Sequence, residues 1–342
     1  MNAFFPGGKQ IGSVLAFPYG WQQPAKTEEW AYEYCIRALG DNTHLQMLSF
    51  PWATLIDLQR KGKQNEAQKY IEALHWAPPK KTLIRATVMQ HIYAKDLWPI
   101  LSQLGITDVF WSHANKKNTI IDEIRLHPFP LYPACCAQQQ ELGEWVPLDE
   151  RRYLYSFIGA YEKDLYLSFA RNWIFAFPKR TDAIVKRRVQ WHFEDVVYGE
   201  QINGVVRTQE MRHAEVEKMD EYREVIQHSI FSLCPSGSGP NTIRLWESVC
   251  LGAIPVIISD NIRLPGDEQA WRKAAIFVPE NQNKVRDIPN LLENLSNSGE
   301  IPGRIAELKS IAKKYSLHVP GDDIENFFSG GWKELMGVSK RK

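Results

Sequence analysis

Residues 229–265 read SIFSLCPSGSGPNTIRLWESVCLGAIPVIISDNIRLP and contain four structural signals in succession. Residues 229–234 form a short apolar run typical of a strand, and residues 235–240 are a loop of proline, glycine and serine. Residues 241–251 have helical spacing and stop at a glycine, and residues 254–259 are a β-branched run typical of a buried parallel strand. The stretch therefore predicts a β–loop–α–β unit whose loop opens onto a helix N-terminus.

The junction between this loop and this helix is suited to binding an anion. The first turn of a helix carries unpaired N–H groups and partial positive charge, which favour a phosphate or a carboxylate. Glycines let the backbone approach a ligand closely, and serines add hydroxyl donors. The residues that we expect to contact the anion are Ser236, Gly237, Ser238, Gly239, Asn241 and Thr242.

Three polar residues of the predicted helix share one face, because Arg244, Glu247 and Ser248 stand at positions i, i+3 and i+4. An arginine one turn into the helix adds bidentate charge for a phosphate. A glutamate one turn further accepts two hydroxyl hydrogen bonds, as a ribose would offer. The alternative is an ordinary glycine-rich turn in which Arg244 and Glu247 form a surface salt bridge, and spacing alone leaves both interpretations open.

The pattern F-x-L-C-P-S-G-x-G-P-x-x-x-R-L-W-E-x-x-x-x-G-x-I-P-V-I-I-S-D resembles the signature of the exostosin-like glycosyltransferases, glycosyltransferase family 47. The upstream segment RYLYSFIGA at residues 152–160, followed by Arg171, resembles the preceding block of that family. The Tyr222-Arg223-Glu224 triplet also matches. The resemblance covers roughly residues 151–280.

This resemblance implies an inverting transfer of a sugar from a nucleotide-diphosphate donor, expected to be a UDP-sugar, to a hydroxyl of a glycan or lipid-linked glycan. Arg244 and Glu247 match the family's R-x-x-E segment, so they are expected to hold the diphosphate and the ribose. Arg171 matches an upstream arginine of the family, and Arg152 starts the matching strand. Either of these two would add charge at the phosphates or pair with an acidic neighbour.

Two features near the motif modify what the family implies. Ser236 stands where animal exostosins have arginine, whereas plant members have Pro-Ser-Gly as here; the animal donor specificity therefore does not carry over. Asp260 follows the strand at residues 254–259, with Asp267 and Glu268 beyond it. These acids would bind donor-sugar hydroxyls or cap the next helix, and capping is favoured for Asp267.

The base that deprotonates the acceptor hydroxyl has two candidates. His91 and His113 each follow a predicted parallel strand of the N-terminal half, so both are expected to face the same crevice. Imidazole has a suitable pKa for general-base catalysis. A histidine at a strand end also serves commonly as a structural residue, and this alternative stays open for both.

The length and composition of the chain favour a protein of more than one domain and argue against several classes of protein. A chain of 342 residues with 44% hydrophobic residues exceeds the usual size of one domain. The formal charge of +1 argues against a nucleic-acid partner. Five cysteines without a C-x-x-C pair indicate neither a disulfide framework nor a zinc site and favour a reducing compartment.

The sequence also suggests location and cofactor use. The first 20 residues lack a signal-peptide pattern, and no run of 18 apolar residues occurs. The resemblance implies a membrane helix at the N-terminus of eukaryotic exostosins, and because this chain departs from that pattern we expect a cytoplasmic, bacterial enzyme of surface-polysaccharide synthesis. Association with the inner membrane face or with a transferase complex is a further expectation. No D-x-D triplet is present, and we expect no metal and no cofactor, with the helix dipole and arginine neutralising the leaving diphosphate.

Strands and helices alternate along both halves, which predicts doubly wound parallel sheets. Strands are predicted at residues 11–19, 45–50, 82–90, 108–112, 153–158, 173–177, 229–234, 254–259 and 275–278, and helices at 27–39, 54–74, 95–104, 162–171, 213–227, 241–251, 268–274, 288–295 and 304–315. Thr27 is the expected N-cap of the first of these helices. The resemblance implies an α/β GT-B fold, in which two Rossmann-like domains face a central cleft. The expected division is an acceptor domain at 1–140, a linker at 141–150 and a nucleotide-sugar domain at 151–342, whose last helix packs back on the first. Alternatives are another GT-B transferase using a GDP-sugar, or a non-catalytic glycan-binding partner subunit.

Overall fold

The computed structural model describes residues 7–41, 45–75, 84–136, 145–189, 195–315, 320 and 323–331. Within these ranges two sheets are present, one in each half of the chain. Strands of the first sheet are β1 (Lys9–Ile11), β2 (Val14–Ala16), β3 (Leu45–Ser49), β4 (Ile84–Met89), β5 (Asp108–Trp111), β6 (Ile120–Ile121) and β7 (Ile124–Pro128). Their spatial order is β1-β2-β3-β4-β5-β7-β6, parallel from β2 to β7 with an antiparallel strand at each edge.

The second sheet is parallel throughout, in the order β12-β11-β10-β8-β9. Its strands are β8 (Tyr153–Gly159), β9 (Ala183–Arg187), β10 (Ser229–Pro235), β11 (Ile254–Ile258) and β12 (Ile276–Val278). Strand β10 is the middle strand of this sheet, and all its residues except Ile230 are buried, as expected for a parallel strand covered on both faces. Its Cys234 lies beside Ile257 of β11 in register. The β–loop–α–β unit predicted from residues 229–265 is confirmed.

Helices cover both sheets. In the described part of the chain they are α1 (Thr27–Ala38), α2 (Trp52–Arg60), α3 (Gln64–Leu74), α4 (Trp98–Gln103), α5 (Ala170–Phe175), α6 (Gln209–Gln227), α7 (Ile243–Leu251), α8 (Glu268–Ala274), α9 (Gln282–Arg286), α10 (Ile288–Asn297), α11 (Ile301–Lys314) and α12 (Asp323–Asn326). A π-helical segment, Asp195–Ile202, precedes α6. None of the described helices is long and apolar enough to cross a bilayer.

Two predictions in the first half are wrong. The single helix predicted at 54–74 is two helices, because Gly62 between them takes a φ of +72°, outside the right-handed region. Thr27, expected to cap the first helix, lies inside it instead. Its hydroxyl accepts the backbone N–H of Tyr132 at 2.8 Å.

The order of elements after β8 also differs from the prediction. Residues 162–171 are mostly irregular, and α5 occupies the place of the strand predicted at 173–177. The apolar spacing in this segment imitates a helix, yet Leu167 and Phe169 are 60% and 48% exposed. The backbone N–H of Leu167 donates to the carbonyl of Gly237, so a loop contact replaces helical pairing.

The last described segment returns to the first half. Ile324, Phe327 and Phe328 are buried in the same cluster as residues of α1 and strands β2 to β5. The predicted linker at 141–150 lies partly outside the described residues, and the domain boundaries stay a prediction.

Candidate functional site

A cavity of about 430 Å³ lies where the carboxyl ends of the two sheets meet. Its first wall includes Gln22, Asp57, Gln90, His91, Tyr93 and His113. The opposite wall includes Gly159, Tyr166, Arg171, Tyr222, Arg244 and Glu247. Ligands of open α/β sheets bind at this edge of the strands, so the cavity occupies the expected position.

The predicted glycine loop borders the cavity through Gly237, Ser238, Gly239, Asn241 and Thr242. The Asn241 side chain fixes this loop. Its Oδ1 accepts from the Trp246 indole and the Thr242 backbone, and its Nδ2 donates to the Ser112 carbonyl of the first half at 2.8 Å. Helix α7 then starts at Ile243 and ends at Leu251, and the following Gly252 takes a left-handed φ of +80°.

Arg244 is buried at the carboxyl ends of β8 and β10. Its Nε donates to the Tyr222 hydroxyl at 3.1 Å, and one Nη donates to the carbonyl of Ile158. The guanidinium also lies 4.3 Å from the centre of the Phe157 ring. The backbone and aromatic neighbours orient this arginine, and a second Nη group makes only a long contact of 3.4 Å to Leu233.

Arg171 is held in the same manner. It donates to the carbonyls of Ser236 and Ala160, both at 3.1 Å, and lies 4.3 Å from the centre of the Tyr166 ring. Burial, together with the neighbouring positive charge of Arg244, lowers the pKa of Arg171 to about 10. The group nevertheless stays protonated at pH 7.

Among the described residues neither Arg171 nor Arg244 forms a salt bridge, and the charge of Glu247 reaches Arg244 only across the Tyr222 hydroxyl. Two buried positive charges that face a cavity without a paired carboxylate favour binding an anion there. The glycine loop and the first residues of α7 line the same cavity, and the partial positive charge of the helix N-terminus adds to this preference.

Glu247 does not form the surface salt bridge that was the alternative interpretation. It is fully buried, its Oε1 accepts the Cys135 N–H at 3.1 Å, and its Oε2 accepts the Tyr222 hydroxyl at 2.7 Å. Burial raises the pKa of this carboxyl. Tyr222 thus bridges Arg244 and Glu247, a role that sequence reasoning missed although the Tyr222-Arg223-Glu224 triplet marked the segment.

His113 packs directly on the glycine loop. A Cβ added at Gly239 would lie 2.3 Å from His113 Nδ1 and 2.8 Å from Ile92 Cγ2, so this loop position requires glycine. Burial lowers the pKa of His113 to about 3. Because an efficient general base has a pKa near the working pH, this environment argues against His113 as the base.

His91 lies in the cavity wall with both ring nitrogens engaged. Its Nε2 lies 3.1 Å from Asp57 Oδ1, and its Nδ1 accepts the Tyr93 N–H at 3.1 Å. Asp57 was missed by sequence reasoning. The available signal was a single acid in the apolar run of α2, beside Leu55 and Leu58, where a solvated face would not place it.

Three predicted site residues lie outside the cavity. Arg152 is exposed and forms a salt bridge with Glu224 at 2.7 Å, so it pairs with an acidic neighbour, which was the alternative to a role at the phosphates. Ser236 is buried and donates to Glu280, while Asp260 accepts the Glu280 N–H at 3.0 Å. Asp267 caps α8 by accepting the Gln269 N–H, as expected.

Two Rossmann-like sheets that face a common cleft define the GT-B class of fold. The Exostosin GT47 domain matches residues 103–295, more than half of the chain, and the chain belongs to this glycosyltransferase family.

Similar curated proteins are plant enzymes. A probable glucuronoxylan glucuronosyltransferase of Arabidopsis thaliana is 33% identical over 122 residues, which are 35% of this chain and 26% of that protein. A probable glucuronosyltransferase of Physcomitrium patens is 46% identical over 122 residues, 33% of this chain and 26% of that protein. A probable β-1,4-xylosyltransferase of Arabidopsis thaliana is 45% identical over 71 residues, 20% of this chain and 16% of that protein. The chain spans about a quarter of the first two relatives' length.

The solved structures that match this chain over most of its length have low sequence identity and low TM-scores. The UDP complex of Staphylococcus aureus MnaA has a TM-score of 0.39 at 9% identity and covers 84% of this chain and 79% of its own. WaaG, a glycosyltransferase involved in lipopolysaccharide biosynthesis, has a TM-score of 0.35 at 10% identity. The match covers 88% of this chain and 81% of the WaaG chain.

Proposed function

We propose that the protein is an inverting glycosyltransferase that transfers a sugar from a UDP-sugar to a hydroxyl of a glycan. The observation that carries this proposal is the pair of buried guanidinium groups, Arg171 and Arg244, facing the cavity without a carboxylate partner. A nucleotide diphosphate is a ligand whose charge matches two arginines and a helix N-terminus. Membership of the glycosyltransferase family supports the same class of ligand.

The chemistry required of this wall is neutralisation of the departing diphosphate. Negative charge grows on the β-phosphate as the bond from the sugar breaks, and fixed donors aimed at that position stabilise the transition state. Arg171 and Arg244 are held by backbone carbonyls, so they need little reorganisation during the reaction. The proposal includes metal-independent activity, since these groups supply the positive charge that a cation would otherwise bring.

Glu247 is assigned to the ribose. Each of its oxygens accepts one hydrogen bond from the protein, which leaves further lone pairs for a ribose hydroxyl. The names of the plant relatives point to a glucuronosyl or xylosyl donor. They give no support to the expected role in bacterial surface polysaccharide, and that role is not carried forward.

Thermal-shift measurements with UDP, GDP, CMP and ADP, each with and without EDTA, test the nucleotide site. A ligand that binds only the native state raises the melting temperature. We expect UDP to stabilise the wild type in EDTA and to fail on Arg244→Ala and Arg171→Ala. Arg152→Ala is the matched control, because Arg152 lies outside the cavity and should leave the UDP shift unchanged.

The other outcomes change the proposal in defined ways. Stabilisation by GDP alone replaces the UDP donor with a GDP-sugar. Stabilisation by UDP only when a divalent metal is present refutes metal independence. UDP binding without release of UDP from any sugar nucleotide favours the non-catalytic subunit, and a flat response to all nucleotides refutes the site.

A further inference from the structure

A continuous chain of side-chain hydrogen bonds runs along the first wall of the cavity. Gln90 donates from Nε2 to Gln22 at 2.6 Å, and Gln22 donates from its own Nε2 to Asp57 Oδ2 at 2.5 Å. His91 contacts the other oxygen of Asp57 at 3.1 Å. Glu28 fixes the far end of the chain by accepting the Gln90 N–H at 3.0 Å.

The arrangement decides which member can take up a proton. Because Nδ1 of His91 accepts the Tyr93 N–H, its Nε2 carries the hydrogen and donates to Asp57. His91 therefore has no lone pair left for a substrate hydroxyl. A carboxylate has about four acceptor positions, and Asp57 uses one on each oxygen for these two donors.

Asp57 lies in the cavity wall opposite the arginine pair. Its side chain is only 3% exposed, and the cavity separates it from the wall that contains Arg171 and Arg244. A sugar whose diphosphate contacts the arginines has its reactive carbon in that intervening space. An acceptor hydroxyl approaching from the side opposite the leaving group then meets the first wall.

We propose that Asp57 is the general base of the transfer and that His91 and Gln22 are positioning residues that hold its carboxylate. This assignment rests on the proposed function. The acceptor oxygen forms a bond to C1 of the sugar while the bond from C1 to the diphosphate oxygen breaks, and the electron pair leaves with UDP. The hydroxyl proton passes to Asp57 and is released to water when the products leave.

The test uses UDP binding and UDP release from UDP-glucuronic acid and UDP-xylose, with water as acceptor. Asp57→Asn should keep the wild-type UDP thermal shift, because the nucleotide contacts the other wall. Its UDP release should fall about 100-fold or more. Glu72→Gln is the matched control, an exposed acid on α3 that should change neither measurement.

Rescue of the Asp57→Asn variant by added azide distinguishes a catalytic base from a carboxylate that has only a structural role. The azide anion has no proton to lose, so added azide should restore UDP release by Asp57→Asn and yield the glycosyl azide of inverted configuration. Removing the positioning donor by His91→Ala should slow release at least tenfold. The conservative His91→Gln keeps a donor for Asp57 and should recover activity to within about fivefold of the wild type.

Several outcomes overturn the assignment. Asp57→Asn with more than a tenth of wild-type release refutes it, as does a variant that binds UDP but is not restored by azide. His91→Gln as inactive as Asp57→Asn would assign the base to His91 instead. A wild type that binds UDP and releases none from either donor refutes the enzymatic part of the proposed function, and the Asp57 assignment with it.

Discussion

At the scale of single residues, surroundings decide what identical side chains do. Arg152 and Arg171 both lie in the segment that resembles the family, yet Arg152 is neutralised by Glu224 on the surface, whereas Arg171 is buried beside the glycine loop. The histidines divide in the same way. His113 packs on that loop as a neutral imidazole, and His91 supports a carboxylate.

Gly239→Ala should lower the free energy of unfolding by about 1–3 kcal/mol, the usual cost of overpacking a tight contact. The added methyl would lie 2.3 Å from His113 Nδ1, closer than a Cβ approaches another heavy atom in folded proteins, so the imidazole or the loop would have to shift. Urea unfolding measures the change.

Gly303→Ala provides the opposite case, because the added Cβ in α11 meets nothing within 4 Å. There alanine should stabilise the protein by about 0.5–1 kcal/mol. Equal urea midpoints for Gly239→Ala and the wild type would contradict the packing of His113 on the loop.

At the scale of elements, one buried carboxyl joins three of them. Glu28 in the first turn of α1 accepts the Ala53 N–H near the start of α2 and the Gln90 N–H just after β4, each at 3.0 Å. Burial raises its pKa from 4.5 to about 8. These three elements carry Asp57, His91 and the polar chain of the first wall, so Glu28 also orders that wall.

This carboxyl predicts how stability depends on pH. Between pH 4.5 and about 8 the folded chain keeps a proton at Glu28 that the unfolded chain has released, so rising pH lowers the free energy of unfolding. His113, whose pKa falls from 6.5 to about 3, acts in the opposite direction below pH 6.5. The two effects offset up to about pH 6.5, and only the Glu28 effect remains above it.

We therefore expect stability to be level between pH 5 and 6.5 and then to fall by up to ~1.4 kcal/mol per pH unit towards pH 8. Urea unfolding across this range measures the slope. Glu28→Gln should remove the fall above pH 6.5. An unchanged slope in that variant would assign the titration to another group.

At the scale of the whole molecule, the two halves share contacts beyond the cavity. Asn241 of the glycine loop donates to the Ser112 carbonyl after β5, and Arg263 donates to the Leu126 carbonyl of β7 at 2.8 Å. The segment that contains Phe327 packs on the first sheet although it follows the whole second sheet in sequence. Contacts between the two halves therefore include hydrogen bonds from the glycine loop and from Arg263 as well as the packing of the last described segment.

Phe327→Ala should cost about 3 kcal/mol or more in the free energy of unfolding, as expected for truncating a buried phenylalanine. Its ring centre lies 5.5 Å from that of Phe110 on β5 and 5.1 Å from that of His127. Urea unfolding measures the loss, and faster amide exchange in β5 would locate it. Phe169→Ala removes an equal side chain that is 48% exposed and should cost less than 1 kcal/mol.

The sequence by itself determined the local elements and the family. Residues 229–265 predicted β10, α7 and β11 within two residues at each end, because apolar period, the glycine stop and the loop composition act over short distances. The sequence also predicted one site from the glycine loop, Arg171, Arg244 and Glu247, since the motif that contains them is mostly continuous. These residues line one cavity, and their roles there stay a prediction. Where local signals conflicted, as at residues 162–177, the elements were wrong.

Only the tertiary structure decided which side chains meet. Tyr222 comes between Arg244 and Glu247 from a different helix, and Asp57 meets His91 across 34 positions of sequence. No periodicity encodes such pairs, because they depend on how helices pack over separate strands. The same packing places Arg152, Ser236 and Asp260 outside the cavity, buries His113, and engages both ring nitrogens of His91. Spacing identified the groups available for chemistry, and burial and pairing determined which of them face the cleft free to act.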